Sequence, residues 1–324
     1  MAEYSPTAKQ NDKRPLLVVI VGPTASGKTA LSLALAREFG AEIVSADSMQ
    51  VYKGMDIQTA KPTTEQMSEI PHHLIGVLRQ DESFSVTQYQ SLATAAIDDI
   101  LSRGRLPILV GGTGLYISAV VDNTCFGDMV IDPAIRQRLI KAANEQGGQQ
   151  LLARLSLNDP ELAAKLHPNN LGRIIRALEV FEATGKTLSE FQANSRLTPS
   201  PYQVLMLGVT FKDRQRLYDR INDRVDEMLR MGLLREIEEM RNAPLSHTAA
   251  KAIGCKELSG YFDGTLTLEQ AVENLKRQTR RYAKRQLTWF GRDERVNWLY
   301  QENGDVIARA RELILPYLSG CNLL

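Results

Sequence analysis

The pattern of apolar and polar positions divides the chain into two grammars. Residues 15–21 are a continuous apolar run, Leu16-Leu17-Val18-Val19-Ile20-Val21 after Pro15, which predicts a strand buried on both faces. A glycine-rich turn follows. Then Ala30, Leu31, Leu33, Ala34, Leu35 and Ala36 recur with helical spacing. Residues 42–46 predict a second strand ending at Asp47, and 73–77 a third. Residues 53–71, with Gly54, Pro62 and Pro71, predict irregular chain. Over 86–103 a helix is expected with Tyr89, Leu92, Ala96 and Ile100 on its inner side. Residues 107–110 predict another buried strand, closed by Gly111-Gly112-Thr113-Gly114. Strand and helix alternating in this way predict a parallel sheet with helices on both faces.

From 132 to 192 the signals are helical throughout. Pro133 starts a helix, Gly147-Gly148 breaks one, Pro168-Asn169-Asn170 caps one and Gly185 ends it. Strand grammar returns at 203–210. Long helices are expected near 213–241 and 267–291, an edge strand at 296–299 and a last helix near 303–318. The expected organisation is a flexible tail over 1–14, a catalytic α/β core made of 15–125 and 195–324 with C-terminal helices, and an all-helical insertion over 126–194.

The first turn carries the most specific chemistry. Gly22, Gly27, Lys28 and Thr29, with Pro23, Thr24, Ala25 and Ser26 between, fill G-x-x-x-x-G-K-[ST] between a strand and a helix. In such a P-loop the glycines let backbone N–H groups converge on phosphate oxygens. The start of the next helix adds positive partial charge, Lys28 a full one, and the Thr29 hydroxyl is a Mg²⁺ ligand. The fold class expected is therefore α/β, a P-loop NTPase-like parallel sheet flanked by helices, binding a diphosphate or polyphosphate. A nucleotide hydrolase also needs an acid at a second strand end for Mg²⁺. Strand 107–110 ends in glycines instead, and only Asp47 ends a strand in this half of the sheet. Asp47 either faces the crevice or caps a turn. Thr113 offers a hydroxyl at a neighbouring strand end.

The second long pattern is basic. Lys276, Arg280 and Lys284 are spaced by four, as are Arg277, Arg281 and Arg285, and no acid falls in 275–292. On a helix such residues form stripes with about 6 Å between neighbours, so phosphate-backbone contact is expected over a solvated face. Arg220 and Arg224 form another i, i+4 pair, placed to meet either nearby acids or a diphosphate. His72-His73 read as structural, because neighbours on a strand point to opposite faces.

Bulk properties narrow the classes. The 324 residues suit one large or two modest domains, and 43% hydrophobic residues suffice for a sizeable core. Net charge is only +1, so a nucleic-acid site must come from local clustering. Cys125, Cys255 and Cys321 fit neither a disulfide framework nor a zinc spacing. The first 14 residues are polar and unlike a signal peptide, and no apolar run approaches the roughly 20 residues of a membrane span. A cytoplasmic, membrane-free, monomeric protein is expected.

Together these segments resemble the tRNA dimethylallyltransferase family, in its bacterial type. The carriers are 22–29; Asp47-Ser48-Met49-Gln50-Val51-Tyr52-Lys53-Gly54-Met55-Asp56-Ile57; Thr59-Ala60-Lys61-Pro62; Pro71-His72-His73-Leu74; 111–116; 173–179; and 281–290. The resemblance implies transfer of a dimethylallyl group from dimethylallyl diphosphate to N6 of the adenosine on the 3′ side of the anticodon. Its partners are then the tRNA anticodon stem-loop and dimethylallyl diphosphate, with Mg²⁺ as cofactor. It implies that the P-loop holds the diphosphate and that Asp47 is the general base. It places tRNA contacts at Asp47, Ser48, Met49 and Gln50 and at Arg285, Gln286 and Trp289, with Thr113 at the channel; with the basic stripes, the expected tRNA contacts also take in Thr113, Arg173, Lys276, Arg280, Arg281 and Lys284. Gln58, Cys255 and Gly172 depart from the usual family pattern, where Gly, Tyr and a larger polar residue stand. The rivals are a P-loop small-molecule kinase, a prenyltransferase acting on free adenine nucleotides, and an RNA-binding P-loop switch without catalysis.

Overall fold

The computed structural model describes residues 12–124, 132–195 and 198–318. The tail expected over 1–14 lies outside them except at its last three residues, as do Cys125 and Cys321. The chain divides into two compact units, one made of 1–121 with 201–324 and the other of 122–200.

In chain order the first unit holds β1 (Leu16–Val21), α1 (Lys28–Phe39), β2 (Glu42–Ser45), α2 (Thr64–Glu69), β3 (His72–His73), α3 (Val86–Ser102), β4 (Pro107–Val110) and α4 (Gly114–Val121). The second unit holds α5 (Pro133–Gln146), α6 (Gly148–Asn158), α7 (Pro160–Ala163), α8 (Leu171–Thr184) and α9 (Leu188–Ser195). The first unit resumes with β5 (Gln203–Thr210), α10 (Arg214–Arg230), α11 (Leu233–Arg241), α12 (Cys255–Phe262), α13 (Leu268–Phe290), β6 (Val296–Tyr300) and α14 (Val306–Leu318).

The sheet is parallel, in the order β3-β2-β4-β1-β5-β6. β1 sits inside it, with Val18 beside Ile108 on one flank and Leu205 on the other. All six of its residues are buried, which is why its sequence runs apolar without alternation. Its odd and even positions serve different cores. Leu17, Val19 and Val21 pack with Tyr89, Ile97, Ile117, Ile237 and Leu275 from α3, α4, α11 and α13. Leu16, Val18 and Ile20 pack with Leu31 and Leu35 of α1 and with Ala310 and Ile314 of α14. The second unit has its own core around Leu139, Leu155, Ile174 and Leu178.

Several expected elements come out differently. Only His72 and His73 of the third strand pair, because Leu74 (φ 63°) and Gly76 (φ 60°) turn the chain out of the sheet. α3 buries Tyr89, Ala93, Ile97 and Ile100, a stripe that drifts toward the i+4 side and leaves Leu92 44% exposed. The expected helix over 213–241 is two, α10 and α11, parted by Gly232 at φ 101°. The last helix starts at Val306, after a turn through 301–304.

Candidate active site

The sheet order places the carboxyl ends of β2, β4 and β1 side by side. In open parallel sheets, ligands bind outside such ends. Here the three ends carry Asp47, the 111–113 loop and the 22–29 loop, stitched together by backbone bonds. Ala46 N donates to Val110 O (2.7 Å), Gly111 N to Ile20 O (3.1 Å) and Thr113 N to Ala46 O (3.2 Å). A Cβ on Gly111 would collide with the Ala46 carbonyl, so the close approach requires glycine.

The 22–29 loop wraps as its pattern predicts. Gly22 (φ 139°), Ala25 (φ 62°) and Gly27 (φ 101°) take left-handed or otherwise positive φ, and α1 begins at Lys28. Lys28 Nζ donates to Pro23 O at 2.7 Å, folding the ammonium back over the loop. Burial pushes its pKa down to about 7; the nearby positive charge of Arg224 adds to this, and Asp47 opposes it. Ser26 is buried, and its hydroxyl has no hydrogen-bond partner.

A cavity of about 1020 Å³ opens beside this loop, lined by Ser26, Lys28, Thr29, Lys61, Arg220 and Arg224 among others. A second, of about 210 Å³, is walled by Thr24, Asp47, Met49, Arg224, Met228 and Leu275. A third, of about 90 Å³, brings together Lys28, Thr29, Asp47, Gln50, Gly112 and Tyr282. Arg224 is a wall common to all three, which together make up the cleft at the strand ends. Burial lowers the Arg224 pKa, with Asp47 opposing and Arg220 assisting. Arg220 is exposed and reaches only the largest cavity.

Asp47 does both things its position allows. Its Oδ1 accepts from Met49 N (2.9 Å) and Gln50 N (3.3 Å), and the residue also lines the two smaller cavities. Ser48 N donates to Thr113 Oγ1 at 3.0 Å, so the two strand-end loops are bonded to each other. Gln50 is structural on both sides of its amide, accepting from Ser45 Oγ (3.0 Å) and donating to Thr59 O (3.1 Å).

A family model described as IPP transferase matches residues 50–293. The chain is 47% identical over 307 residues to the tRNA dimethylallyltransferase of a Thermoanaerobacter species, covering 94% of this chain and 98% of that protein. It is 48% identical over 289 residues to the Bacillus subtilis tRNA dimethylallyltransferase, covering 89% and 91%. The chain belongs to the IPP transferase family. Among solved structures, the tRNA isopentenylpyrophosphate transferase of Bacillus halodurans superposes with a TM-score of 0.70 at 44% identity, over 96% of this chain and 99% of that one. A eukaryotic dimethylallyltransferase acting on tRNA superposes at 0.77 with 29% identity, over 94% and 80%.

The basic face of this family member is smaller than its spacing suggests. Lys276 pairs with Asp226 at 2.6 Å. Arg280 donates to Asn222 (2.7 Å) and pairs with Glu273 (2.8 Å). Both turn toward α10 and their own helix, so the acids missing from 275–292 are supplied from elsewhere. Arg281, Lys284 and Arg285 are exposed, and Trp289 is 43% exposed while its indole packs where a Cβ on Gly114 would lie. Gln286 lies on the inner side of the helix, at the wall of the third cavity. It is only 5% exposed and bonded between Thr24 N and Gly112 O, unlike the exposed residues on the outer face of α13. Arg173 lies exposed on α8, in the second unit.

Two residues escape a reading of the sequence. Tyr282 lines both smaller cavities, and burial raises its pKa above the usual range. Its signal is the inward spacing 275, 279, 282, 286 on α13. Glu236 of α11 accepts from three successive amides, Asp56 N (2.8 Å), Ile57 N (2.7 Å) and Gln58 N (2.9 Å), and thereby fixes the loop that floors the cleft. No local motif announces it. His73 Nε2 meets Glu42 Oε2 at 2.8 Å and His72 Nδ1 meets Ile70 O at 2.6 Å. Among the described residues no cluster of three His, Cys, Asp or Glu can hold a metal.

Proposed function

We propose that the chain transfers a dimethylallyl group from dimethylallyl diphosphate to N6 of the adenosine 3′-adjacent to the anticodon of tRNA, releasing diphosphate. The observation that carries this reading is the meeting of Lys28, Arg224 and Asp47 on one cleft. A cationic, amide-lined end suits a leaving diphosphate, and a carboxylate stands within the same space.

The C1–O bond of the donor breaks and its electrons leave on the diphosphate. Lys28, Arg224 and the P-loop amides stabilise that charge as it grows. N6 forms the new bond to C1. The exocyclic amine becomes acidic only as this bond forms, so a carboxylate can then take its proton. Asp47 receives that proton, its Oδ1 steadied by the two amides of its own turn. N6 can reach Asp47 at the strand ends only when its base leaves the stack, so the adenosine enters flipped.

The donor set also suits Mg²⁺. This ion prefers phosphate oxygens, waters and one or two protein oxygens to an all-protein cage. Thr29 lines the small cavity beside Lys28, and its hydroxyl is the protein oxygen that would hold the ion. Bound there, it would supply further charge neutralisation for the diphosphate.

Ser48, Met49 and Thr113 meet the acceptor nucleotide in this reading. Arg281, Lys284, Arg285 and Trp289 on α13, with Arg173 in the helical unit, meet the surrounding anticodon stem-loop. Mass spectrometry of anticodon-loop nucleosides tests the reading, after incubating unmodified tRNA with dimethylallyl diphosphate and separately with ATP. Dimethylallyl-adenosine from the first mixture supports it. Phosphate release from ATP with unmodified nucleosides rejects it.

A further inference from the structure

We propose that Gln286 and Gln301 are positioning residues of the donor site, which brace the P-loop in its anion-binding shape from the C-terminal part of the chain. The proposal rests on reading the cleft as a diphosphate site.

Gln286 projects inward from α13. Its Oε1 accepts from Thr24 N at 2.9 Å and its Nε2 donates to Gly112 O at 3.0 Å. The two bonds fix which end of the amide is which. A Cβ on Gly112 would strike Nε2, so the bridge sits tight against the 111–113 loop. Gln301 approaches from the other side, just after β6. Its Nε2 donates to Ser26 O at 2.9 Å, while its own backbone N donates to Thr210 O at 3.0 Å. A Cβ on Gly27 would meet the same Nε2 at 2.5 Å.

Between these two anchors lies Ala25 at φ 62°, and Gly27 at φ 101° follows directly after the second. Ala25 in particular holds a conformation that persists only where its surroundings over-determine it. A loop that aims N–H groups inward must also satisfy its displaced carbonyls. Pro23 O is satisfied by Lys28 Nζ, which a bound diphosphate would claim. The Ser26 carbonyl and the Thr24 amide are satisfied by glutamines, which need no ligand to stay in place. The loop is thereby preorganised, so binding energy is not spent on ordering it. Gln286 also ties the donor loop to the loop carrying Thr113. This bridge adds to the backbone bond from Gly111 N to Ile20 O in fixing the spacing between leaving group and acceptor.

The experiment compares Gln286→Ala, Gln286→Met, Gln301→Ala and Arg285→Ala with the unaltered chain. Calorimetry reads the Kd of inorganic diphosphate, and filter binding reads the Kd of an anticodon stem-loop without donor. Each glutamine variant should weaken diphosphate binding at least fivefold and leave RNA affinity within twofold. Arg285→Ala should do the reverse. Gln286→Met keeps the volume and should fold even where the alanine variant does not. Unchanged diphosphate affinity in folded glutamine variants, with only a lower Tm, would overturn the proposal. So would a tenfold RNA loss in Gln286→Met with diphosphate binding intact. An unaltered chain that fails to bind diphosphate would instead reject the reading of the cleft, and the bracing role with it.

Discussion

Asp47 carries two loads on one carboxylate. Oδ1 takes the amides of Met49 and Gln50, which shapes the turn, and the side chain still faces the cleft. Asp47→Asn keeps an acceptor oxygen for those amides but cannot take the N6 proton. The expected result is a Tm close to the parent and a single-turnover rate lower by about 10²–10⁴-fold. A full-speed single turnover would remove the general-base role. Lys28 gives a second test at this scale. With its pKa pushed down to about 7, it is largely neutral in the empty site at pH 8. A bound diphosphate raises that pKa again, so binding at pH 8 should take up a proton, up to about one per site. Calorimetry in buffers of different ionisation enthalpy reads this uptake. Lys28→Met should abolish it and weaken binding, by about 2–4 kcal/mol if it acts like other single electrostatic donors.

Elements explain why some of this is legible in the sequence and some is not. β1 and its loop are legible because a doubly buried strand must be apolar at every position, and the phosphate cradle needs glycine and lysine at fixed offsets. Asp47 and the glycines at 111–112 are legible because strand ends in a parallel sheet are where ligands sit. The inward turn of Lys276 and Arg280 is not, because their partners Asp226 and Asn222 lie on another helix about 50 residues away. Nor is Glu236, whose three amide partners lie some 180 residues earlier. β2 shows the same long-range logic in stability. Glu42 is buried, and bonding from Arg103, then His73, pushes its pKa down to about 2 against desolvation. Its folded pKa is depressed, so its contribution is complete above the ordinary carboxyl range and is lost as pH falls toward 2. Glu42→Gln should cost about 2–3 kcal/mol at pH 7, discounted for the half-exposed Arg103. Near pH 3 the difference should shrink by roughly half. Urea unfolding at both pH values measures it.

At the scale of the whole molecule, small donor and large acceptor make different demands. The cleft lined by Lys28, Asp47 and Arg224 is built wholly within the first unit, from β-strand ends, α10 and α13. A kinase of small molecules would need nothing more. The second unit, 122–200, has its own core and exposes Arg173 on α8, a feature that a compact donor gives no reason for. A net charge of +1 means that RNA affinity must rest on such local groups, since the overall field supplies little. Arg173→Ala and the triple change Arg281→Ala, Lys284→Ala, Arg285→Ala alter two units that each have their own core. Each should weaken anticodon stem-loop binding, and each should flatten its salt dependence by about 0.7–0.9 in log–log slope for every phosphate that is no longer neutralised. The combined variant should bind the stem-loop more weakly than either change alone. Diphosphate affinity should stay unchanged in all three proteins. If Arg173→Ala leaves both Kd and salt slope untouched, the helical unit is not a tRNA grip, and the exposed face of α13 alone must account for RNA affinity.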